Sequence, residues 1–393
     1  MRSTAEVVIV GGGCMGASTA FHLARRGVTD VVLVERERQL AAGSTGRNAG
    51  GVRHQFSDPA NIELSKESIA CLARFQEEVG AEIDFWQDGY LFLLASEASA
   101  RAFRANVALQ RAHGVAVDWL SADEALRIAP GLDVTGVVGA TWCAADGVAD
   151  PNGVTQGFAR AAQAAGVEIV RETEVTGIRV EAGRVAEVQT SRGRIATPRV
   201  VNAAGPWAGH IGRMVGLDVP VTPERRHIFI AQPAGGGSWD APAHRGRVPS
   251  TRVLVIDFDT TFYFHREGGG LLFGMGDPDE RPGFDITVRW DFLPRVTEVA
   301  VQRLPALGEA AVTHAWAGLY EMTPDHNPII GPAADIEGVY TIAGFSGHGF
   351  QHAPAAGRIL ADLITGRDPA FDVSPFAHDR FARGATRGER NVV

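Results

Sequence analysis

The sequence predicts an α/β fold: a helix-covered parallel sheet assembled from both ends of the chain, interleaved with β-rich lobes. Three observations carry this. Val7 to Val10 form an apolar run that enters Gly11-x-Gly13-x-x-Gly16, then an amphipathic helix, then a second strand, Val31 to Val34, ending on Glu35. A second strand, glycine turn and helix stand near the other end, at Val339 to Ala343, Gly344-Phe345-Ser346-Gly347 and the apolar-faced segment to Ile364. Between them, helical patterns alternate with short strands set off by glycines.

The first unit has a mechanical reading. Gly11 allows the tight turn, Gly13 lets a pyrophosphate approach the backbone, and Gly16 lets the helix pack close to the strand. The helix start offers amide groups and partial positive charge to phosphates. Glu35, at the tip of the second strand, is placed to hold ribose hydroxyls. The motif alone fits NAD as well as FAD. The polar loop from Gly43 to His54 follows directly and reads as a second cofactor-contacting loop.

Further along, residues 62–79 read as one helix. Tyr90 to Leu94 is a buried strand, 97–113 a helix, 115–120 and 136–142 strands, and Ser121-x-x-Glu124 a capping box. This block reads as a lobe that leaves the nucleotide domain and returns near Asp150-Pro151. Residues 151–165 form a helix with Pro at its first turn, and 167–170 a parallel-type strand. A meander of three strands covers 175–180, 184–190 and 194–197. Val200 to Asn202 then runs to Gly205, the place where a parallel strand meets a ligand crevice. Lobe character returns at 227–231, 252–257, 262–265 and 271–274. Residues 233–249 read as a mobile loop, 291–303 as a helix, and the polar end as disordered.

Composition narrows the function. The chain has 393 residues, 45% hydrophobic and 8% aromatic, typical of a globular protein with a sizeable core. A net charge of −9 and scattered basic residues exclude an electrostatic nucleic-acid partner. No apolar run reaches the roughly 20 residues of a membrane span, and the glycine motif begins without a preceding signal peptide, so the expectation is a cytoplasmic protein. Cys14, Cys71 and Cys143 are isolated and suggest no metal site. Lys66 is the single lysine.

Four blocks together carry a resemblance that spans the chain: VVIVGGGCMG with its acid, GSTGRNAGGVR, VVNAAGPWA, and WAGLYEMTPDHNPIIG followed by IAGFSGHGFQ. The chain resembles the glycine oxidase, sarcosine oxidase and D-amino-acid oxidase superfamily of FAD-dependent oxidoreductases. It looks most like the β subunits of heterotetrameric sarcosine oxidase and dye-linked proline dehydrogenase. The resemblance implies a Rossmann-like, glutathione-reductase-type FAD domain interleaved with a substrate domain on a mostly antiparallel mixed sheet. The implied division is 1–83, 150–215 and 325–383 for the FAD domain, and 84–149 and 216–324 for the substrate domain, with 384–393 as the tail. It implies that Gly11, Gly13, Met15, Gly16, Glu35 and Arg36 hold the adenosine and diphosphate, with Val175 near the adenine and Ala204 and Gly205 near the diphosphate. Ser44, Thr45, Asn48 and Gly51 would follow the ribityl and flavin, and Gly347, His348, Gly349, Phe350 and Gln351 the pyrimidine edge.

The implied activity is oxidation of the C–N bond of a small secondary or N-methyl amino acid, giving an imine that hydrolyses. Alternatives are a 2-hydroxy acid on the same scaffold, or a primary D-amino acid. Oxygen or an electron carrier would take the electrons, and an α-type subunit is a possible partner. Arg53 matches the family's substrate arginine, with a flavin-phosphate or structural contact as its other reading. Gln351, Tyr320, His265 and His348 complete the expected catalytic set, the histidines as takers of the amine proton, and Tyr263 faces Tyr320. Gly318 stands where related enzymes attach flavin through cysteine, so FAD is expected to be non-covalent. Residues 270–274 lack the lysine that assists oxygen, which leans toward a dehydrogenase.

Overall fold

The computed structural model describes residues 1–392. A six-stranded sheet runs Ile329–Pro332, Val339–Ala343, Val200–Asn202, Val7–Val10, Val31–Val34, Glu168–Val170. Its neighbours are parallel except for the first pair. The strands are continuously apolar because both faces are covered. Val7, Ile9, Val31 and Leu33 pack on one side with the helices Cys14–Arg25, Pro151–Ala164 and Gly349–Ile364. Val8, Val10, Val32 and Val34 pack on the other, against the three-stranded meander Val175–Glu181, Arg184–Thr190, Gly193–Ala196.

An eight-stranded sheet forms the second layer: Ala310–Met322, Thr222–Pro233, Gly270–Met275, Phe262–Glu267, Leu254–Asp257, Tyr90–Leu94, Gly139–Cys143, Asp118–Leu120. All its pairs are antiparallel except Leu254–Asp257 with Tyr90–Leu94. Alternation sorts its side chains. Phe229, Val255, Phe262 and Phe264 enter a core shared with the helix Leu293–Arg303. Ile228, Leu254, Ile256 and Tyr263 point the other way, into a cavity.

Several expectations shift. The helix over 62–79 divides into Pro59–Ala73 and Phe75–Val79. The strand over 115–120 shortens to Asp118–Leu120, while the capping box at Ser121 and Glu124 forms in both directions. Segment 233–249 is anchored, since Trp239 is buried and its indole nitrogen donates to the Ala231 carbonyl at 3.2 Å.

The end of the chain, expected to be disordered over 384–393, is docked over its described residues. Arg380 is buried and grips Asp325 with Nε and Nη2, at 2.8 and 3.0 Å. Asn327 donates to the Arg387 carbonyl. The Glu389 carboxylate then accepts from the Ser57 amide and hydroxyl, the Asp58 amide and Asn61. The tail looked disordered because its composition is polar, yet its polar groups are the ones that dock it. Arg380→Met leaves Asp325 buried without its partner. It should destabilise the fold by about 3–5 kcal/mol, read as a lower urea midpoint, and Asp325→Asn in the same chain should restore part of the loss.

Candidate active site

One cavity of about 680 Å³ runs from the first glycine turn to the face of the large sheet. At its first end the glycines do what close approach demands. Gly11 has φ +113°, and a Cβ there would lie 2.4 Å from the Ala203 carbonyl oxygen. A Cβ on Gly16, which lies behind the turn, would lie 2.0 Å from the Gly11 carbonyl oxygen. Gly13, the N-cap of the helix Cys14–Arg25, has no side chain to cap it, and the helix start faces the cavity at Gly13 and Met15. The Glu35 carboxylate is oriented by the amides of Gly12 at 2.6 Å and Glu37 at 2.8 Å. Arg36 lies on the Trp207 ring at 3.8 Å, and Val175, Ala204 and Gly205 close this end.

The polar loop continues the wall. Thr45 accepts from the Cys14 amide at 3.2 Å, Ser44 donates to the Leu319 carbonyl at 2.6 Å, and Asn48 bonds both Thr45 and Gly50. Ser44 and Asn48 therefore use side-chain groups to shape the loop, with Gly51 following. Gly318 also lines the cavity, and a Cβ there would come to 3.0 Å of Arg47 Cβ.

At the far end, Gly347 has φ +95°, and a Cβ would lie 2.3 Å from the Tyr320 ring. The helix Gly349–Ile364 starts there with no side-chain cap. Its first turn, Gly349, Phe350 and Gln351, presents a second open helix N-terminus. Gln351 accepts from the Arg53 amide at 2.9 Å.

Arg53 is buried, with its guanidinium 3.9 Å from the Phe56 ring centre. It donates to the backbone carbonyls of Gln55 and Asn391. No carboxylate among the described residues forms an ion pair with it. Tyr90, Tyr263 and Tyr320 share the cavity wall with it, their phenols raised above the ordinary range chiefly by burial and thus neutral.

The two histidines change role. His348 lines the cavity, but burial, then His352 and Arg53, pull its imidazole well below the ordinary value, and its Nε2 is buried without a partner. His265 lies behind the wall, with Nδ1 2.7 Å from the Arg266 carbonyl and Nε2 3.0 Å from the Ala49 carbonyl. Neither holds an amine proton at neutral pH: one is too weakly basic and the other is enclosed by backbone.

Sequence reasoning overlooked four contributors. Tyr90 hid in a uniformly apolar strand. Arg226 required the alternation of a strand that proved longer than expected, Thr222–Pro233. Val392 arrives with the docked tail. Glu321 stood inside a quoted motif. Burial pushes its carboxyl up to about 7, against hydrogen bonds from the amides of Gly344 and Phe345. His54, Cys143 and Asp146 cluster their donor atoms within 4.8 Å. Asp146 already accepts from the His54 amide and ring and from Gln55, so the cluster reads as a structural hydrogen-bond hub rather than a metal centre.

A family model described as FAD dependent oxidoreductase matches residues 6–363. Mouse mitochondrial sarcosine dehydrogenase is 31% identical over 98% of this chain and 42% of its own length. The chain thus spans about two fifths of that relative. The solved structure of L-proline dehydrogenase from P. horikoshii superposes with a TM-score of 0.89 at 35% identity, covering 98% of this chain and 100% of that one. Glycine oxidase from Geobacillus kaustophilus gives 0.84 at 28%, covering 96% and 99%.

The cavity fits FAD: Gly11, Gly13, Gly347 and Gly349 bring backbone rather than side chains to its wall, and two helix N-termini open onto it where anionic groups would lie. Glu321 is the exception, a carboxyl facing a cavity that receives an anion. A bound diphosphate favours its protonated form, so FAD binding should take up a proton above pH ~7 and weaken as pH rises to 9. Glu321→Gln should abolish that slope, measured by titrating apoprotein with FAD across this range.

Proposed function

The chain belongs to the family of FAD-dependent oxidoreductases, and from that premise we propose that it oxidises the C–N bond of a small secondary or N-methyl amino acid. The observation that carries the reading is Arg53: a buried guanidinium on the cavity wall, with no acidic partner among the described residues. A buried cation of this kind calls for an anion. Two of its donors are fixed on carbonyls, and the remainder can bind a substrate carboxylate.

Bound FAD supplies the two-electron acceptor that takes a hydride from the substrate carbon. The protein's own part is positioning and electrostatics. Gly13, Glu35, Thr45, Gly205 and the first turn of Gly349–Ile364 would hold the cofactor. Arg53 anchors the carboxylate, and Tyr320, Tyr263 and Tyr90 can hydrogen-bond the amine as neutral phenols. Ile228, Leu254 and Ile256 give the cavity a dry wall. The guanidinium groups of Arg53 and Arg226 disfavour an ammonium ion beside them. The substrate therefore binds as the neutral amine, its proton leaving to solvent beforehand. Neither histidine is placed to take the hydroxyl proton of a 2-hydroxy acid, which weighs against that alternative.

The missing lysine at 270–274 favoured an electron carrier over oxygen. Arg226 brings a fixed cation into the cavity from another strand, so that argument no longer separates the two acceptors. A cytoplasmic setting, an α-type subunit and the two-domain division stay part of the proposal. No helix among the described residues is long and apolar enough to cross a membrane.

Anaerobic mixing with sarcosine, L-proline, glycine and 2-hydroxyglutarate tests the reading. A secondary amine should bleach the flavin fastest, with kcat/KM rising with pH as the amine loses its proton. Arg53→Met should lower kcat/KM by about two orders of magnitude or more. Bleaching by the hydroxy acid alone would overturn the proposal. Re-oxidation on admitting oxygen then assigns the acceptor.

A further inference from the structure

Arg226 is a second cation on the cavity wall, and the C–N oxidation proposed above gives its guanidinium no anion to bind. It lies on the strand Thr222–Pro233, directly opposite Gly318. Its guanidinium carbon is 4.8 Å from the Tyr320 ring centre. Nη1 donates to the Arg225 carbonyl at 3.0 Å, and Nη2 to Glu224 at 3.2 Å. Its Nε is buried with no partner.

Arg53 approaches the same phenol from another element, the loop that continues the strand Gly51–Val52. Burial raises the Tyr320 phenol, and both Arg226 and Arg53 pull it back. Arg226 alone of the two bears on Tyr263, and Arg53 alone on Tyr90. Two guanidinium groups thus reach the same wall of phenols, Arg226 beside the Tyr320 ring and Arg53 from the loop after Gly51–Val52. One arginine is enough for the carboxylate of a simple amino acid. A second cation facing the same small space adds cost unless a second anion offsets it. Glu224 offsets part of the charge of Arg226 but leaves Nε unmatched.

We propose that the substrate is a secondary amine carrying two acidic groups, an N-(carboxyalkyl) amino acid, with one carboxylate on Arg53 and the other on Arg226. The amine nitrogen lies between them, along Tyr320. This rests on the C–N oxidation reading and narrows its substrate class.

The test uses the FAD-loaded protein and unreactive sulfur analogues, (methylthio)acetate with one carboxylate and thiodiacetate with two. Binding is read from perturbation of the flavin absorbance at neutral pH. The diacid should bind at least tenfold more tightly than the monoacid. Arg226→Met should bring that ratio near one, Arg226→Lys should keep part of it, and Glu224→Gln, which frees Arg226, should enlarge it. A ratio that is near one in the unmodified protein, or that survives intact in Arg226→Met, overturns the proposal. Anaerobic reduction by sarcosine and iminodiacetate separates the two levels. If sarcosine bleaches the flavin as readily as iminodiacetate, only the diacid assignment falls. If neither of these nor L-proline bleaches it, the C–N reading falls with it.

Discussion

A buried guanidinium with no acidic partner among the described residues is the constraint on which the site depends. Arg53 is held from three directions by segments far apart in sequence. Gln351, in the first turn of the last helix, fixes its backbone. Phe56 supports the face of its side chain, and the carbonyl of Asn391 takes one of its donors. Holding a charge in such a place is unfavourable until an anion arrives. The surrounding structure must therefore keep the arginine from turning out to water. That task reaches well beyond the cavity: Asp325 with Arg380, and Glu389 with Ser57, Asp58 and Asn61, pin the tail that carries Asn391. The turn at 323–327 thus acts on the site through the tail.

The same electrostatic logic runs along the whole cavity. Two helices point their N-termini into it, one at each end, and glycines at both let the chain turn tightly against its neighbours. On the proposed reading, this positive potential would meet the phosphates of the dinucleotide and the charge of a reduced flavin. The acid Glu35 fits this pattern because the amides of Gly12 and Glu37 satisfy its carboxylate, and its proposed partners are hydroxyl groups. Glu321 fits only as a neutral acid, which its environment supports.

Much of this was legible in the sequence, for identifiable reasons. The strand–glycine–helix units have strong local signatures, so both helix starts and the acid at Glu35 stand where spacing puts them. The capping box at Ser121 is likewise local. What escaped was long-range. Nothing near His265 in sequence announces that the Ala49 carbonyl encloses its ring. The docked tail depends on pairing between residues more than 300 positions apart, and polar composition alone reads as disorder. Arg226 faces the cavity only because of the register of a twelve-residue strand against Ala310–Met322, which periodicity over a shorter strand does not reveal.

The most direct test of the account is whether a bare carboxylate binds at Arg53 in the FAD-loaded protein. Acetate titrated into the holoenzyme, followed by the flavin absorbance, asks this without any turnover. The account predicts a saturable perturbation that is lost in Arg53→Met while FAD stays bound. Unchanged acetate binding in that variant would contradict it, and would make Arg53 a purely structural residue.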